Sequence, residues 1–163
     1  MKIRGAFVLF MVLSLLNGCT RDDICAEGTS TTPQLIILFR DIANPTQRKA
    51  VPNLTVKTAA LNDQTILLET TTDSIAIPLN PGAEIVLYQF IENANGSNPN
   101  SDYLEFTYDT ENLYVNRACG YKSVYSNLIS DVQQEGSANW IVRADTLTTT
   151  ITNENEAHFV IFH

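Results

Sequence analysis

The sequence Tyr103-Leu104-Glu105-Phe106-Thr107-Tyr108 carries the clearest strand pattern in the chain. Leu104, Phe106 and Tyr108 alternate with more polar neighbours and therefore share one face of an extended segment. A period of two is typical of an antiparallel strand that packs one face on a core and leaves the other near solvent. We therefore expect a half-buried strand at this position.

Similar short segments lie on both sides of this strand. Residues 34–40 form a continuous apolar run, which predicts a strand buried on both faces, and residues 83–91 form another after the turn Asn80-Pro81-Gly82. Residues 124–132 fit either a strand or a short helical turn. Further strands are predicted at residues 53–61, 64–69, 74–79, 113–119, 140–151 and 157–162. The chain shows no amphipathic helix and no long repeat, so about eight short strands predict an all-β fold, an antiparallel β-sandwich that is immunoglobulin-like or similar.

The N-terminal region predicts an export signal followed by a lipid anchor. Positive charge at Lys2 and Arg4 precedes the apolar run 6–16, which is too short to span a bilayer but suits a secretory signal. Leu16-Asn17-Gly18-Cys19 resembles the bacterial lipobox, in which the cysteine thiol is acylated. The alternative is an ordinary signal peptide with an incidental cysteine. We expect a signal peptide at residues 1–18 and lipidation at Cys19.

The segment after Cys19 has two interpretations. Arg21, Asp22 and Asp23 resemble a signal that sends some Bacteroidota lipoproteins to the outer face of the outer membrane, and they are equally compatible with a simple polar tether. We expect residues 19–32 to be the lipidated cysteine with its tether, and residues 33–163 to form a single β-sandwich domain.

The charge of the chain restricts its partners. The sequence contains 18 acidic and 10 basic residues, a formal charge of −8. Removal of residues 1–18 takes away two basic residues and no acidic one, which changes −8 to −10. Such an acidic chain repels phosphate backbones, so we expect no nucleic acid partner and a membrane contact made through the lipid.

Two cysteines remain if Cys19 is acylated. Cys25 and Cys119 are an even pair in an oxidising compartment, where a disulfide is the default expectation. The loop that it closes would stabilise the fold by roughly 4–5 kcal/mol on the chain-entropy estimate. Two buried free thiols or a reactive pair are the alternatives.

The residues suited to catalysis are few. The chain has two histidines. His158 shares a strand face with Val160 and Phe162, whereas His163 lies on the opposite face, so strand geometry alone keeps them apart. The sequence contains no HExxH and no Gly-x-Ser-x-Gly motif. We therefore predict no catalytic residue and no cofactor, and an enzyme of unrecognised type stays an alternative.

The polar loop at residues 92–102 partly matches a calcium-binding loop. Asn93, Asn95, Gly96 and Asp102 occupy suitable places, but the first place is Ile91, which has no side-chain oxygen. We therefore predict a solvated loop and no metal site.

Two further groups of residues suggest a surface role. An aromatic ligand platform could draw on Trp140 and four tyrosines, although large aromatic side chains more often belong to a core. Asp73-Ser74-Ile75 and Asp145-Thr146-Leu147 resemble a Bacteroidota O-glycosylation motif, which makes Ser74 and Thr146 candidate modification sites. The four tyrosines of the possible ligand platform are Tyr103, Tyr114, Tyr121 and Tyr125.

Several blocks together resemble an uncharacterised family of Bacteroidota lipoproteins, domain of unknown function 6452. The blocks are Cys19-Thr20-Arg21-Asp22-Asp23-Ile24-Cys25, Thr32-Pro33-Gln34-Leu35-Ile36-Ile37, Thr72-Asp73-Ser74-Ile75-Ala76-Ile77-Pro78-Leu79 and Arg117-Ala118-Cys119-Gly120-Tyr121-Lys122. The resemblance implies a lipoprotein of the outer membrane or periplasm, with an Asp-Asp-x-Cys start and a paired cysteine in the Ala-Cys-Gly block. It implies no activity.

These observations lead to one expectation about function and two alternatives. We expect a lipid-anchored outer-membrane protein, on the periplasmic or cell-surface face, that acts as a binding or structural module. Its partners would be the membrane, through the anchor, and an envelope protein or a glycan. The alternatives are a surface glycan-binding lipoprotein and the enzyme of unrecognised type.

Overall fold

The computed structural model describes residues 24–59, 64–134 and 136–163, apart from the side chain of Ser137. The predicted signal peptide, the predicted lipidation site Cys19 and the export signal Arg21, Asp22 and Asp23 lie outside the described residues. Within the described part, the regular structure is nine β-strands and one short 3-10 helix, Gly136–Ala138. The strands are β1 Leu35–Arg40, β2 Val51–Thr58, β3 Thr65–Thr72, β4 Ser74–Ile77, β5 Ile85–Glu92, β6 Asn100–Asn116, β7 Gly120–Val132, β8 Arg143–Thr146 and β9 Phe159–Phe162.

The strands form two sheets, as predicted for an all-β sandwich. The four-stranded sheet has the order β4-β1-β9-β8, and the five-stranded sheet has the order β3-β2-β5-β6-β7. Most pairings are antiparallel, but β1 and β9 run parallel, with Ile37 opposite Phe159. This parallel pair joins segments from distant parts of the chain, and strand patterns alone do not reveal such a pairing.

The chain divides into two units. The larger unit comprises residues 31–113 and 122–163 and contains the core of the sandwich. The smaller unit comprises residues up to Ser30, described from Ile24, together with residues 114–121. Residues 114–121 are the tip of the hairpin formed by β6 and β7.

The alternation at residues 103–108 is confirmed. Leu104, Phe106 and Tyr108 are buried in β6, while Tyr103, Glu105 and Thr107 are half-buried on the other face. The three buried side chains join a core with residues of the opposite sheet, such as Ile37 and Phe159. The alternation of buried and half-buried residues extends along 102–108 because one face of β6 packs on this core there.

One prediction about the hairpin differs from the structure, and one open alternative is decided. Residues 113–119 were expected to form a separate strand with Cys119 on the core side, but β6 continues unbroken to Asn116 and Cys119 lies in the turn. The side-chain oxygen of Asn116 accepts a hydrogen bond from the Cys119 amide at 2.8 Å, and Gly120 has a φ of +72°, a backbone conformation that glycine adopts readily. Residues 124–132 belong to β7 and are therefore a strand and not a helical turn.

A buried carboxylate holds the connection from β7 to β8. Asp102 at the start of β6 is fully buried, and its Oδ2 accepts a hydrogen bond from the Ile141 amide at 2.7 Å. The neighbouring Trp140 is buried too, and its indole Nε1 donates to the carbonyl of Phe90 at 3.2 Å. Because a buried polar group is costly unless it is hydrogen-bonded, the bond between Asp102 and Ile141 fixes where this connection docks on the sheet.

Candidate functional site

Three buried tyrosines hold one short segment of the chain. We call Tyr88, Tyr108 and Tyr125 the tyrosine clamp; they come from the neighbouring strands β5, β6 and β7. Their hydroxyl groups donate to three successive carbonyls: Tyr88 to Pro78, Tyr125 to Leu79 at 3.2 Å and Tyr108 to Asn80 at 3.0 Å. The clamp therefore fixes the connection by which the chain leaves β4 and enters β5.

The clamp is packed as well as hydrogen-bonded. The rings of Tyr108 and Tyr125 meet edge to face with centroids 5.2 Å apart, and Tyr88 meets Phe106 in the same way at 6.4 Å. Burial raises the pKa of Tyr125 to about 12, with the neighbouring Tyr108 as a second cause. Burial also raises the pKa of Tyr88 and of Tyr108 above the usual value for tyrosine. All three hydroxyls therefore stay protonated and serve as donors.

The raised pKa values predict that alkali destabilises the fold. An unfolded tyrosine ionises near pH 10, before the clamped one does, so the stability present below pH 10 is lost as the pH rises toward the folded pKa values. We expect Tyr125→Phe to lower the free energy of unfolding by about 0.5–1.5 kcal/mol at pH 7 and to weaken its alkaline decline. Urea unfolding between pH 8 and pH 11 tests this, with the exposed Tyr121→Phe as control. An unchanged decline in Tyr125→Phe would contradict the prediction.

A cleft opens beside the clamped segment. Its volume is about 410 Å³, and it lies between the start of β3, the clamped segment and β5. Strands β3 and β4 are edge strands of different sheets, and Asp73 is the one residue between them. The start of β3 and the end of β4, which lie away from this connection, both border the cleft. The lining residues are Thr58, Gln64, Ile66, Pro78, Leu79, Asn80, Ile85, Val86, Leu87 and Tyr88.

The chemistry of this cleft is that of a binding site. A concave region of this size, lined mainly by apolar side chains with a few polar groups, is the usual form of a ligand pocket. Thr58, Gln64 and Asn80 supply the polar groups, although Thr58 Oγ1 already accepts a hydrogen bond from the Gln64 amide at 3.0 Å. None of the described lining residues is a carboxylate, a histidine or a cysteine. The cleft can therefore hold an apolar group, and the described part of its lining offers no carboxylate, imidazole or thiol for catalysis.

The two histidines lie apart and serve the fold. His158 is 2% exposed, and its Nδ1 accepts a hydrogen bond from the Ile36 amide at 3.0 Å. His163 packs edge to face against Phe39 and Trp140, and its Nε2 donates to the carbonyl of Lys49 at 3.2 Å. The prediction that they occupy opposite faces is confirmed, because Val160 and Phe162 belong to one cluster while Phe159 and Ile161 belong to the main core.

The environment of both histidines predicts an acid sensitivity. Burial lowers the pKa of His158, and hydrogen bonding to Asn153 and the charges of Glu156 and Glu154 oppose this only in part. Burial likewise lowers the pKa of His163. An unfolded histidine takes up a proton near pH 6.5 while the folded one resists it, so stability present above pH 6.5 is lost as the pH falls.

A single variant separates the contribution of His158 from that of His163. In His158→Asn the amide oxygen takes the place of Nδ1 and keeps an acceptor for the Ile36 amide. We expect the variant to lose less stability than wild type between pH 7.5 and pH 5.5, where each titrating histidine contributes at most about 1.4 kcal/mol per pH unit. Urea unfolding at both pH values measures this, and an equal loss in the two proteins would show that His158 is not responsible.

The predicted disulfide is present in the structure. Cys25 and Cys119 are joined within the smaller unit, with their Cα atoms 4.8 Å apart. The same unit exposes Tyr114 and Tyr121, whose rings meet edge to face with centroids 5.4 Å apart. The bridge ties the first described residues to the tip of the β6–β7 hairpin.

The other aromatic candidates do not form an exposed platform. Trp140 and Tyr125 are buried, and Tyr103 is half-buried, so only Tyr114 and Tyr121 of the predicted group are exposed together. The rings of Tyr114 and Tyr121 lie at 67° to each other, so they do not form one flat surface.

The remaining candidate sites are placed as follows. Asp102 is turned into the interior, so it is not available to the polar loop, and no described group of three or more His, Cys, Asp or Glu side chains could hold a metal ion. Ser74 and Thr146 are half-buried on β4 and β8, the two edge strands of the four-stranded sheet. Their O-glycosylation stays a prediction. Among the described residues no helix is long and apolar enough to cross a membrane.

The clamp and the cleft could not be identified from the sequence. Tyr88 and Tyr108 were recognisable only as members of strands, and the one clamp residue considered, Tyr125, was assigned to a possible ligand platform. The turn Asn80-Pro81-Gly82 was predicted correctly, with the Gly82 amide donating to Asn80 Oδ1 at 2.9 Å. Nothing in the local pattern indicates that three hydroxyls from three strands converge just before this turn.

The fold and the bridge define a class of protein: an all-β sandwich with a disulfide-bonded hairpin and an apolar cleft between two edge strands. The family of unknown function DUF6452 matches residues 53–163, more than half of the chain, and the chain belongs to this family. The resemblance noted from the sequence blocks is thereby confirmed for the family. A search of curated proteins finds no match, and neither does a search of solved structures.

Proposed function

We propose that this protein is a lipid-anchored component of the bacterial cell envelope that binds an apolar part of another envelope molecule in the cleft beside the tyrosine clamp. The anchor is supported by the predicted signal peptide at residues 1–18 and by its lipobox-like end, Leu16-Asn17-Gly18-Cys19. The binding role is supported by the cleft of about 410 Å³, which is the single observation on which it depends. The outer membrane is the location that fits Arg21, Asp22 and Asp23.

We also propose that the protein is not an enzyme. Among the described residues, the buried histidine, aspartate and tyrosine side chains are each hydrogen-bonded to main chain. His158 accepts from Ile36, His163 donates to Lys49, Asp102 accepts from Ile141 and the clamp tyrosines donate to carbonyls. Groups used in this way hold the fold together. Tyr88 is the one of them that lines the cleft, and its hydroxyl is bonded to the Pro78 carbonyl.

The geometry of the cleft favours an extended peptide as the bound segment. Strand β3 is the edge of its sheet and has β2 as its neighbour, so its other side offers main-chain groups to an added strand. Glu69 is the single charged residue of β3, and Leu68 is well exposed. A peptide strand paired with β3 would place an apolar side chain near Ile66, at the mouth of the cleft.

Photo-crosslinking tests the cleft in intact cells. A photoreactive residue at Ile85, which lines the cleft and is 55% exposed, is expected to give a discrete adduct with an envelope protein. The same residue at Ile129, 64% exposed on β7, is the matched control. Leu87→Arg, which places charge in the lining, is expected to abolish the adduct at position 85. Equal adducts at both positions would refute the assignment of the cleft.

A separate experiment tests the anchor. Metabolic labelling with a fatty acid is expected to label wild type and not Cys19→Ala, and globomycin is expected to accumulate the uncleaved precursor. Wild type should stay in the membrane fraction through repeated washing, because two or three acyl chains at about 0.8 kcal/mol per buried methylene hold a protein effectively permanently. Proteolysis of intact cells then distinguishes the periplasmic face from the cell surface.

A glycan is the second candidate partner, and the exposed pair Tyr114 and Tyr121 is the observation that favours it. Aromatic rings stack on sugar rings, but these two rings are tilted against each other and offer a small flat area. Affinity electrophoresis in gels that contain polysaccharide tests this candidate. Retardation of wild type that Tyr114→Ala and Tyr121→Ala both abolish would favour a glycan-binding lipoprotein over the cleft.

A further inference from the structure

The smaller unit exposes three large apolar or aromatic side chains close to its disulfide. Ile24 is 80% exposed, Tyr114 61% and Tyr121 70%, and we call these three residues the tip surface. Ile24 precedes the bridged Cys25, and Tyr121 lies two residues after the bridged Cys119. The ring of Tyr114 contacts that of Tyr121 at 5.4 Å. The disulfide therefore keeps Ile24 close in space to the two tyrosines.

The length of the chain places this surface near the proposed anchor. Only residues 20–24 separate Cys19 from the bridged Cys25. At roughly 3.3–3.6 Å per residue even a fully extended segment spans no more than about 20 Å. Because Cys25 is bonded to Cys119, the hairpin tip is confined to about this distance from the lipid attachment point. The tip surface is the described apolar surface nearest in sequence to that point.

The charge distribution permits contact at this end of the chain. The whole sequence is acidic, but no acidic residue occurs between Glu111 and Asp131. In the described part of the smaller unit the charged residues are Glu27 and Arg117, which balance each other. The described part of this unit therefore adds no net charge to the repulsion from anionic headgroups that the acidic chain produces.

We propose that the tip surface rests in the interfacial layer of the membrane that holds the lipid anchor, with the rings of Tyr114 and Tyr121 at headgroup depth. Tyrosine suits this layer because its ring is apolar and its hydroxyl is polar, and tyrosines are enriched there in membrane proteins. Ile24 enters the same layer as an apolar side chain. This inference rests on the lipid anchor of the proposed function and adds a second, protein-mediated contact with the same membrane.

Fluorescence quenching by brominated lipids tests the contact. The acylated full-length mature protein is reconstituted in vesicles of phosphatidylethanolamine and phosphatidylglycerol, in which part of the lipid carries bromine near the top of the acyl chain. Tyr121→Trp is expected to lose more fluorescence than wild type, whose buried Trp140 supplies the baseline. Leu68→Trp, 66% exposed on β3, is the matched control and is expected to match wild type. Tyr114→Trp serves as a second reporter.

The outcomes separate this inference from the anchor. Mass spectrometry and vesicle co-sedimentation of the same samples report whether Cys19 is acylated, and an unmodified cysteine there overturns the anchor and the tip contact together. Acylated, co-sedimenting protein whose Tyr121→Trp and Tyr114→Trp variants show no extra quenching overturns the tip contact alone. A fluorescence change of those variants with polysaccharide, and none with vesicles, overturns it in favour of a glycan.

Discussion

Phe106→Ala is expected to lower the free energy of unfolding by about 3–5 kcal/mol, the range measured for removal of large buried aromatic side chains. Phe106 is fully buried at the centre of β6. Its ring meets Phe159 of the opposite sheet with centroids 5.1 Å apart and meets Tyr88 of its own sheet at 6.4 Å. Truncation therefore removes an aromatic contact that joins the two sheets, and it also removes support from the tyrosine clamp.

Thr107→Ala is the matched control, because Thr107 is the next residue of the same strand and lies half-buried on the outer face. We expect its effect to stay within about 0.5 kcal/mol, as for most surface substitutions. Urea unfolding at pH 7.5, with the disulfide intact in every variant, compares the two. A Phe106→Ala loss no larger than the control would mean that the two sheets do not depend on this contact.

Replacement of both bridged cysteines, Cys25→Ser with Cys119→Ser, is expected to lower the free energy of unfolding by about 2 kcal/mol. The bridge spans 94 residues, and closure of a loop of that length in the unfolded chain corresponds to roughly 4–5 kcal/mol. Part of this is offset, because the native chain also gains freedom when the bridge is removed. Thr32 Oγ1 still accepts a hydrogen bond from the Ser123 amide at 2.9 Å, so residues 25–31 are the ones released.

The size of that offset follows from the short loop that the bridge closes in the native protein. This loop runs from Cys25 to Thr32 and from Ser123 back to Cys119, and the hydrogen bond between Thr32 and Ser123 closes its other end. Closing a loop of about ten residues corresponds to roughly 2–3 kcal/mol, which leaves the net value of about 2 kcal/mol. Unfolding of the double variant against wild type under oxidising conditions measures it. Wild type with reductant added should match the double variant, and a loss close to the full loop value would show that the released segment stays ordered without its bridge.

The strands could be predicted because their signals are local. The alternation at residues 103–108 identifies a strand and its buried face, and the apolar run at 34–40 identifies a strand with both faces largely covered, without reference to any other part of the chain. The separation of His158 from His163 was predictable for the same reason, since residues an odd number of positions apart in an extended segment point to opposite faces. These predictions depend only on the periodicity of an extended backbone.

The candidate site could not be predicted because it is made by strands that are distant in sequence. Tyr88, Tyr108 and Tyr125 meet only after β5, β6 and β7 have paired in register, and the cleft exists only because β3 and β4 continue into different sheets. The role of Trp140 was likewise decided by its neighbour Phe90, whose carbonyl satisfies the indole nitrogen. None of these partners is implied by the residues beside them in the chain.

The sequence by itself determined the class of fold, the pairing of Cys25 with Cys119 and the family, because period-two alternation, an even cysteine pair and ordered sequence blocks are properties of the chain before it folds. Only the tertiary structure decided the parallel pairing of β1 with β9, the full length of β6 and the position of the cleft. The physical reason is that strand pairing is set by contacts between distant segments, whose free energies no single segment contains.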